Sequence, residues 1–267
     1  MQIKPENPLV SVCVPTFNSA EFIKETLASI CRSTYDEIEI IVNDDCSSDN
    51  TCDLVQALKD KRIFFHKNAE RIGVPANWNK ALRHSKGRIM CLLNHDDLIS
   101  PFWIEYAVRI LTVHTQVGWL VSAFHVLNRN GEIMRTVRKF PENRVYRSPE
   151  IFPVIMTLNG LAPGFVARKE VLREMEYFDE TMGPSADNEL FIRLSTGYPM
   201  FYSTTAHTSW RSHPDSLSHR WTRINQVRDG LNILRKTFFD SDLPLELQQF
   251  RNQAYLYFYN KAIMILN

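Results

Sequence analysis

Four short apolar runs punctuate the first third of the chain, and three of them stop at a dense polar cluster. LVSVCV (Leu9–Val14) is followed by Pro15-Thr16-Phe17-Asn18, and IEIIV (Ile38–Val42) by Asn43-Asp44-Asp45-Cys46-Ser47. Arg62–His66 is the third run, and Arg88–Leu93 leads into Asn94-His95-Asp96-Asp97. Runs this short, bounded by turn residues, read as buried strands rather than helices. The segments between them have helical spacing. Ser19–Ile30 places Phe22, Ile23, Leu27 and Ile30 on one face with Ser19 as N-cap, and Thr51–Leu58 and Pro75–His84 follow. Ser100-Pro101 is a capping residue and an N1 proline for a helix to about His114. Strands alternating with helices at this spacing predict βαβ units around a mostly parallel sheet. Ligands of such sheets bind beyond the carboxyl ends of the strands, where the three polar clusters lie.

The second half is organised differently. Trp119–Leu127 reads as a strand, with a turn at Asn128-Arg129-Asn130-Gly131 and a returning strand at Ile133–Val137. Helices are expected at Ser148–Leu158 and Ser185–Thr196, with a short strand at Gly164–Ala167 and a helical turn at Lys169–Met175. Arg220–Phe239 and Leu245–Leu266 read as two long amphipathic helices. The expected architecture is an α/β class, Rossmann-like nucleotide-binding αβα sandwich with a C-terminal helical extension. Its catalytic domain spans 1–219, with a nucleotide-binding half at about 1–118 and an acceptor-side half at about 119–219, and the extension spans 220–267.

Composition narrows the partners. The 31 basic and 30 acidic residues nearly cancel, so nucleic acid is not an expected partner. The amino-terminal residues lack the apolar core of a secretory signal, and no apolar run approaches the ~20 residues of a membrane span. Five cysteines without a CxxC pair, two of them (Cys13 and Cys91) inside strand-like runs, suggest buried thiols in a reducing cytoplasm rather than a zinc site.

Two acid pairs carry the chemistry. Asp49 and Asn50 are available to cap the helix after IEIIV, which leaves Asp44 and Asp45 in the crevice. A carboxylate only accepts hydrogen bonds, so it suits the imino N–H of uracil, thymine or guanine, a group adenine lacks. The alternative is a solvated, helix-capping loop. Asp96 and Asp97 are adjacent like charges at the end of a buried strand. A divalent cation would relieve their repulsion, since Mg²⁺ and Mn²⁺ take one or two carboxylates plus substrate phosphate oxygens. Ordinary loop charges are the competing reading. No GxGxxG follows the first strand and no GxxxxGK[ST] occurs anywhere.

Seven stretches in order resemble glycosyltransferase family 2. They are VSVCVPTFN (10–18), EIIVNDDCSSDNT (39–51), NAERIGVPANWNKAL (68–82), GRIMCLLNHDDLISP (87–101), PGFVARKEVLREMEYFDE (163–180), SADNELFIRL (185–194) and RSHPDSLS (211–218). The resemblance covers roughly residues 9–220. It implies an inverting, metal-dependent transferase that moves a sugar from a nucleotide-diphosphate donor, UDP- or dTDP-sugar favoured, to a hydroxyl acceptor. Such an enzyme would serve bacterial surface polysaccharide or glycan synthesis and need Mn²⁺ or Mg²⁺.

Carried onto this chain, the resemblance implies Asp187 as catalytic base. It implies Pro15, Thr16, Phe17, Asn18, Asp44, Asp45, Asn77 and Asp96 around the nucleotide, and Asp97, Asp96 and His213 at the metal. Asn94, Arg211 and Ser216 fall on the diphosphate and acceptor side. Two positions depart from the family: Asn94 stands where an aspartate is common, and Ala186 precedes Asp187 where the family has glutamate. Asp187 could instead be a first-turn acid facing its helix dipole, and residues 211–216 a solvated loop. Glu189, about 200° round the helix from Asp187, is expected to face away and be dispensable. Trp78 is expected to pack, and His84 and His114 to lie on the surface. A glycan or lipid-linked acceptor is expected, and the last helices would pack on the core or touch the inner face of the cytoplasmic membrane. A sugar-phosphate nucleotidyltransferase and a non-catalytic nucleotide-sugar-binding scaffold are the alternative functions.

Overall fold

The computed structural model describes residues 7–157 and 163–266. In chain order it comprises β1 (Val10–Thr16), α1 (Ile23–Cys31), β2 (Ile38–Asp44), α2 (Thr51–Gln56), β3 (Ile63–Lys67), α3 (Val74–His84), β4 (Ile89–Leu92), β5 (Leu98–Ile99) and α4 (Trp103–Val113). Then come β6 (Trp119–Leu127), β7 (Ile133–Val137), β8 (Arg144–Tyr146), α5 (Ile151–Thr157), β9 (Phe165–Arg168), α6 (Lys169–Glu174) and α7 (Ala186–Gly197). The chain finishes with β10 (Met200–Arg211), α8 (Leu217–Arg220), α9 (Arg223–Phe238), α10 (Leu245–Gln248) and α11 (Arg251–Leu266). One large sheet runs β3-β2-β1-β4-β9-β6-β10-β5, with β7 beside β6 and β8 beside β10. β1 to β4, β6 and β10 share one direction, so the sheet is mostly parallel, as expected.

Strand periodicity explains the two faces. Val10, Val12 and Val14 of β1 and Ile38, Ile40 and Val42 of β2 join one apolar cluster with Ile23, Leu27, Trp103 and Leu111 of α1 and α4. Cys13 and Ile41 point the other way, into a cluster with Leu82, Phe152, Leu190 and Leu234 of α3, α5, α7 and α9. Successive side chains alternate across the sheet, so a strand buried on both faces has the continuous apolar run seen in the sequence. Glu39 interrupts that run. Its carboxylate accepts from Ser11 Oγ at 2.5 Å and from the Lys86 and Gly87 amides at 2.5 and 3.2 Å. A Cβ at Gly87 would stand 2.7 Å from the Leu9 carbonyl oxygen, so only glycine allows this approach at the start of β4.

The largest departure is β10, twelve residues without a separate expectation, whose last residue opens the segment expected as a diphosphate contact or, alternatively, a solvated loop. Its middle, STTAHTS, has no apolar run, yet it lies inside the sheet between β6 and β5, with irregular register near Ser203 to Thr208. The two-residue β5 pairs antiparallel with it and pins the turn at Asn94–Asp97. Ser19 is not the cap of α1. Its carbonyl accepts from the Phe22 and Ile23 amides, and the helix begins at Ile23. The helix expected from Ser148 begins at Ile151, and Leu158 lies outside the described residues. Leu245–Leu266 is broken into α10 and α11.

The carboxyl-terminal helices are part of the core. Ile233, Leu234, Phe238, Leu247 and Ala254 are buried in the larger cluster, which is the packing alternative for this segment. Leu256, Tyr259 and Met264 remain exposed on α11. Among the described residues no helix is long and apolar enough to cross a membrane. All five cysteines are free, with Cys13 and Cys91 buried as expected. Trp78 packs edge-on to Phe178 with rings 4.8 Å apart, and its other side reaches the cleft described next.

Candidate active site

A cleft of about 890 Å³ opens beyond the carboxyl ends of β1, β2 and β4. Its walls come from the β6–β7 hairpin and β10 on one side and from α7, α9 and α11 on the other. Pro15, Thr16, Phe17, Asn18, Asp45, Asn77, Asn94, Asp96, Asp97, Asp187, His213 and Ser216 all reach it.

The nucleotide side is built from two crossed loops. Asn18 adopts a positive φ of 49°, a conformation asparagine tolerates better than most residues. This lets its amide donate to Ser47 Oγ at 2.8 Å while its Oδ1 accepts from the Ser48 amide at 2.9 Å. Asn77 Oδ1 accepts from Asn43 Nδ2 and Asn68 Nδ2 at 2.7 and 3.1 Å, a buried amide network that the sequence reading did not anticipate. The Arg71 guanidinium lies 4.0 Å over the Phe17 ring at the cleft wall, and it too was missed. The dense NAERIGVPANWN stretch was the available signal for both.

The two aspartates that follow IEIIV were expected to be free of structural work, and this is corrected. Asp44 is fully buried and absent from the cleft wall; it accepts from the Ser47 amide and hydroxyl and from Thr16 Oγ1. Its task is to hold the turn after β2. Asp45 does reach the cleft, but its oxygens accept from Asn68 Nδ2 and from the Ile72 and Gly73 amides at 2.8–2.9 Å. A carboxylate offers about four lone-pair positions, so three are engaged in clamping the 68–73 loop and about one is left for a ligand.

Asp96 and Asp97 sit in contrasting surroundings. Asp96 Oδ2 lies 3.1 Å from His213 Nε2. Burial alone would raise its pKa, yet His213 and His95 hold it below the usual carboxylate value. Asp97 is pushed well above that value, by burial first and then by the Asp96 charge, although the Arg211 amide donates to its Oδ1 at 3.0 Å. The two neighbours are thus shifted in opposite directions, Asp96 by its histidines and Asp97 by burial and the Asp96 charge.

Arg211 is a second correction. It is buried and does not line the cleft. Its guanidinium donates to the Asp96 and Arg129 carbonyls and to Glu25 Oε2, so it braces the aspartate turn instead of meeting a diphosphate.

The metal expectation can be tested on donor chemistry. Among the described residues no three His, Cys, Asp or Glu side chains converge to cage an ion. Asp96 and His213 do converge, and their 3.1 Å separation is about the edge of an octahedron with ~2.1 Å bonds. His213 Nδ1 and His95 Nδ1 are buried with no hydrogen-bond partner. The residues fit a cation held by one or two side chains and completed by phosphate oxygens.

Asp187 occupies the first turn of α7. Desolvation raises its pKa to about 6, outweighing the 2.7 Å bond from the Asn188 amide that favours the charged form. Glu189 does face away, but it is not idle. It is buried and binds Arg193 through both oxygens at 2.6 Å, while Arg193 donates to the Met175 and Tyr177 carbonyls. Glu189→Gln is expected to cost about 1–3 kcal/mol, because it uncouples a partly buried pair. Thermal unfolding of the variant measures this, and an unchanged midpoint would return Glu189 to the dispensable class.

The model of the family described as "Glycosyl transferase family 2" matches residues 11–175. The chain belongs to glycosyltransferase family 2. An uncharacterized glycosyltransferase of Rickettsia bellii is 25% identical over 255 residues, 94% of this chain and 36% of that protein. A putative teichuronic acid biosynthesis glycosyltransferase of Bacillus subtilis, TuaG, is 37% identical over 141 residues, 52% of this chain and 56% of that protein. The chain thus spans 36–44% of the length of its relatives from Rickettsia bellii, Rickettsia felis and Rickettsia conorii.

Among solved structures, S. aureus TarS 1-349 in complex with UDP-GlcNAc superposes with a TM-score of 0.74 at 20% identity. The match covers 96% of this chain and 73% of that one. The mannosyltransferase PcManGT of Pyrobaculum calidifontis, in complex with GDP-Man and Mn²⁺, gives 0.68 at 22% identity over 98% and 75%. These likenesses establish a shared fold over nearly the whole chain.

Proposed function

We propose that this family 2 chain is a metal-dependent inverting glycosyltransferase that uses a nucleoside diphosphate sugar and a hydroxyl acceptor in glycan or polysaccharide synthesis. The observation that carries the reading is one cleft that joins a base poised near neutrality, Asp187, to the Asp96–His213 pair at the strand ends. A bound Mn²⁺ or Mg²⁺ would supply Lewis-acid neutralisation of the diphosphate, with Asp96 and His213 holding it and Asp97 close by.

The chain's own residues account for the rest. Asp187 accepts the proton of the attacking hydroxyl, and its raised pKa keeps it basic enough to do so at neutral pH. Direct displacement at the anomeric carbon needs no enzyme nucleophile and inverts configuration. Phe17 and Arg71 form a flat platform beside Asp45, suited to a stacked base. The remaining acceptor position of Asp45 favours a base with an imino N–H, uracil or thymine first. The nucleotides in the TarS and PcManGT complexes carry uracil and guanine, and both bases have that group. The link to polysaccharide synthesis is supported by the name of TuaG.

Calorimetry with UDP, dTDP, GDP and ADP, each with Mn²⁺, is the direct test. ADP is expected to bind at least about tenfold more weakly than the best of the others, in line with one lost hydrogen bond at a site built to make it. Equal affinity for ADP and UDP would remove Asp45 from base recognition. Absence of nucleotide-sugar turnover with either cation, across a donor panel, would overturn the transferase reading itself.

A further inference from the structure

The acids on the cleft wall have partners, whereas two of its cations do not. Glu21 and Asp215 bind Arg129, Asp215 also binds Arg220, and the 68–73 loop donates to Asp45. Arg71 lies over Phe17 on the nucleotide side. Arg135 and Lys139 line the opposite, acceptor-side wall, and among the described residues neither has a carboxylate within ion-pair distance.

Their placement follows from strand geometry. On β7, Arg135 and Val137 are two residues apart and share a face, and Lys139 continues the same spacing just past the strand. The register against β6 sets Val137 opposite Phe124 and Arg135 opposite Val126, and Phe124 and Val137 both line the cleft. Thr136 points away, bonded to His125 Nδ1 at 2.9 Å. Lys139 is half-buried, with its amide donating to the Tyr202 hydroxyl at 2.9 Å. Its pKa is lowered by burial and by the Arg135 charge. Arg135 is exposed and Lys139 half-buried, so two like charges without a carboxylate partner stand on one cleft wall, an arrangement that an incoming anion relieves.

We propose that Arg135 and Lys139 form an anion subsite for the acceptor, which carries a phosphate or a carboxylate near the hydroxyl that is glycosylated. The proposal rests on the transferase reading. In the transferase reading the nucleotide's own diphosphate meets the cation at the Asp96–His213 pair, so the hairpin cations are left for a second anionic group.

Protein saturated with Mn²⁺ and the tightest-binding nucleoside diphosphate is titrated with glucose 6-phosphate, glucuronate and glucose. Saturation blocks the donor site, so the phosphate probe reports only on the remaining cleft. At least one anionic probe is expected to bind about tenfold or more tighter than glucose, and the stronger of the two identifies phosphate or carboxylate. The R135Q/K139Q variant should lose that preference. R138Q removes a charge from the neighbouring position, where Arg138 donates to the Thr204 carbonyl, and should retain it.

Thermal unfolding of each variant reports whether the fold is kept. Three results would each overturn the subsite: no preference over glucose in the wild type, a preference retained in the double variant, or a double variant that instead loses nucleoside diphosphate affinity. Failure of the transferase reading would show differently, as absent donor turnover in the wild-type protein.

Discussion

Transfer by Asp187→Asn is expected to fall about 10²–10⁴-fold, equivalent to roughly 3–5 kcal/mol of transition-state stabilisation, with donor affinity nearly unchanged. The asparagine is isosteric and can still accept the Asn188 amide bond made by Oδ1, so the first turn of α7 should survive. Only the capacity to take a proton is lost. The wild-type rate should also fall with acidity. Asp187 is active when ionised, and with a pKa of about 6 its ionised fraction drops about tenfold between pH 7 and pH 5. A pH–rate profile of transfer, paired with calorimetry of the donor, measures both. Near-normal transfer by Asp187→Asn would place the base elsewhere, and a flat acid limb would show that Asp187 does not titrate in the working range.

Metal removal is expected to have the other large effect. Treatment with EDTA should lower turnover by about 10²-fold or more, and Mn²⁺ or Mg²⁺ should restore it, because the leaving diphosphate then lacks its neutralising ion. Asp96→Asn should raise the cation concentration needed for half-maximal turnover by about 10–100-fold. The side chain keeps its shape and an oxygen toward His213, so thermal unfolding should change little. Chelator-resistant turnover would overturn the metal role and shift diphosphate neutralisation to cationic side chains such as Arg71.

The Asp96–Asp97 pair shows how much of the site was legible. The residues themselves were found because two acids at the end of an apolar strand conflict with burial. Their opposite pKa shifts were not, because these depend on burial in the folded chain and on His213, over a hundred positions away. Arg211 itself was assigned to the ligand from its residue type. Only the path of β10 through the sheet turns its guanidinium inward against two carbonyls and Glu25. Asp45 was legible as a cleft residue, whereas its clamp on the Ile72 and Gly73 amides depends on how the 68–73 loop folds back.

By itself the sequence determined the alternating α/β core and the positions where polar residues emerge from it. Apolar periodicity is a local property, and strands buried on both faces write it plainly at Leu9–Val14 and Ile38–Val42. The ordered motifs also carried the family. The tertiary structure decided which polar groups are already satisfied by the protein and which still face the cleft. That distinction separates Asp44 and Arg211 from Asp187, Arg135 and Lys139. It rests on hydrogen bonds and desolvation between segments distant in the chain, which no local spacing encodes.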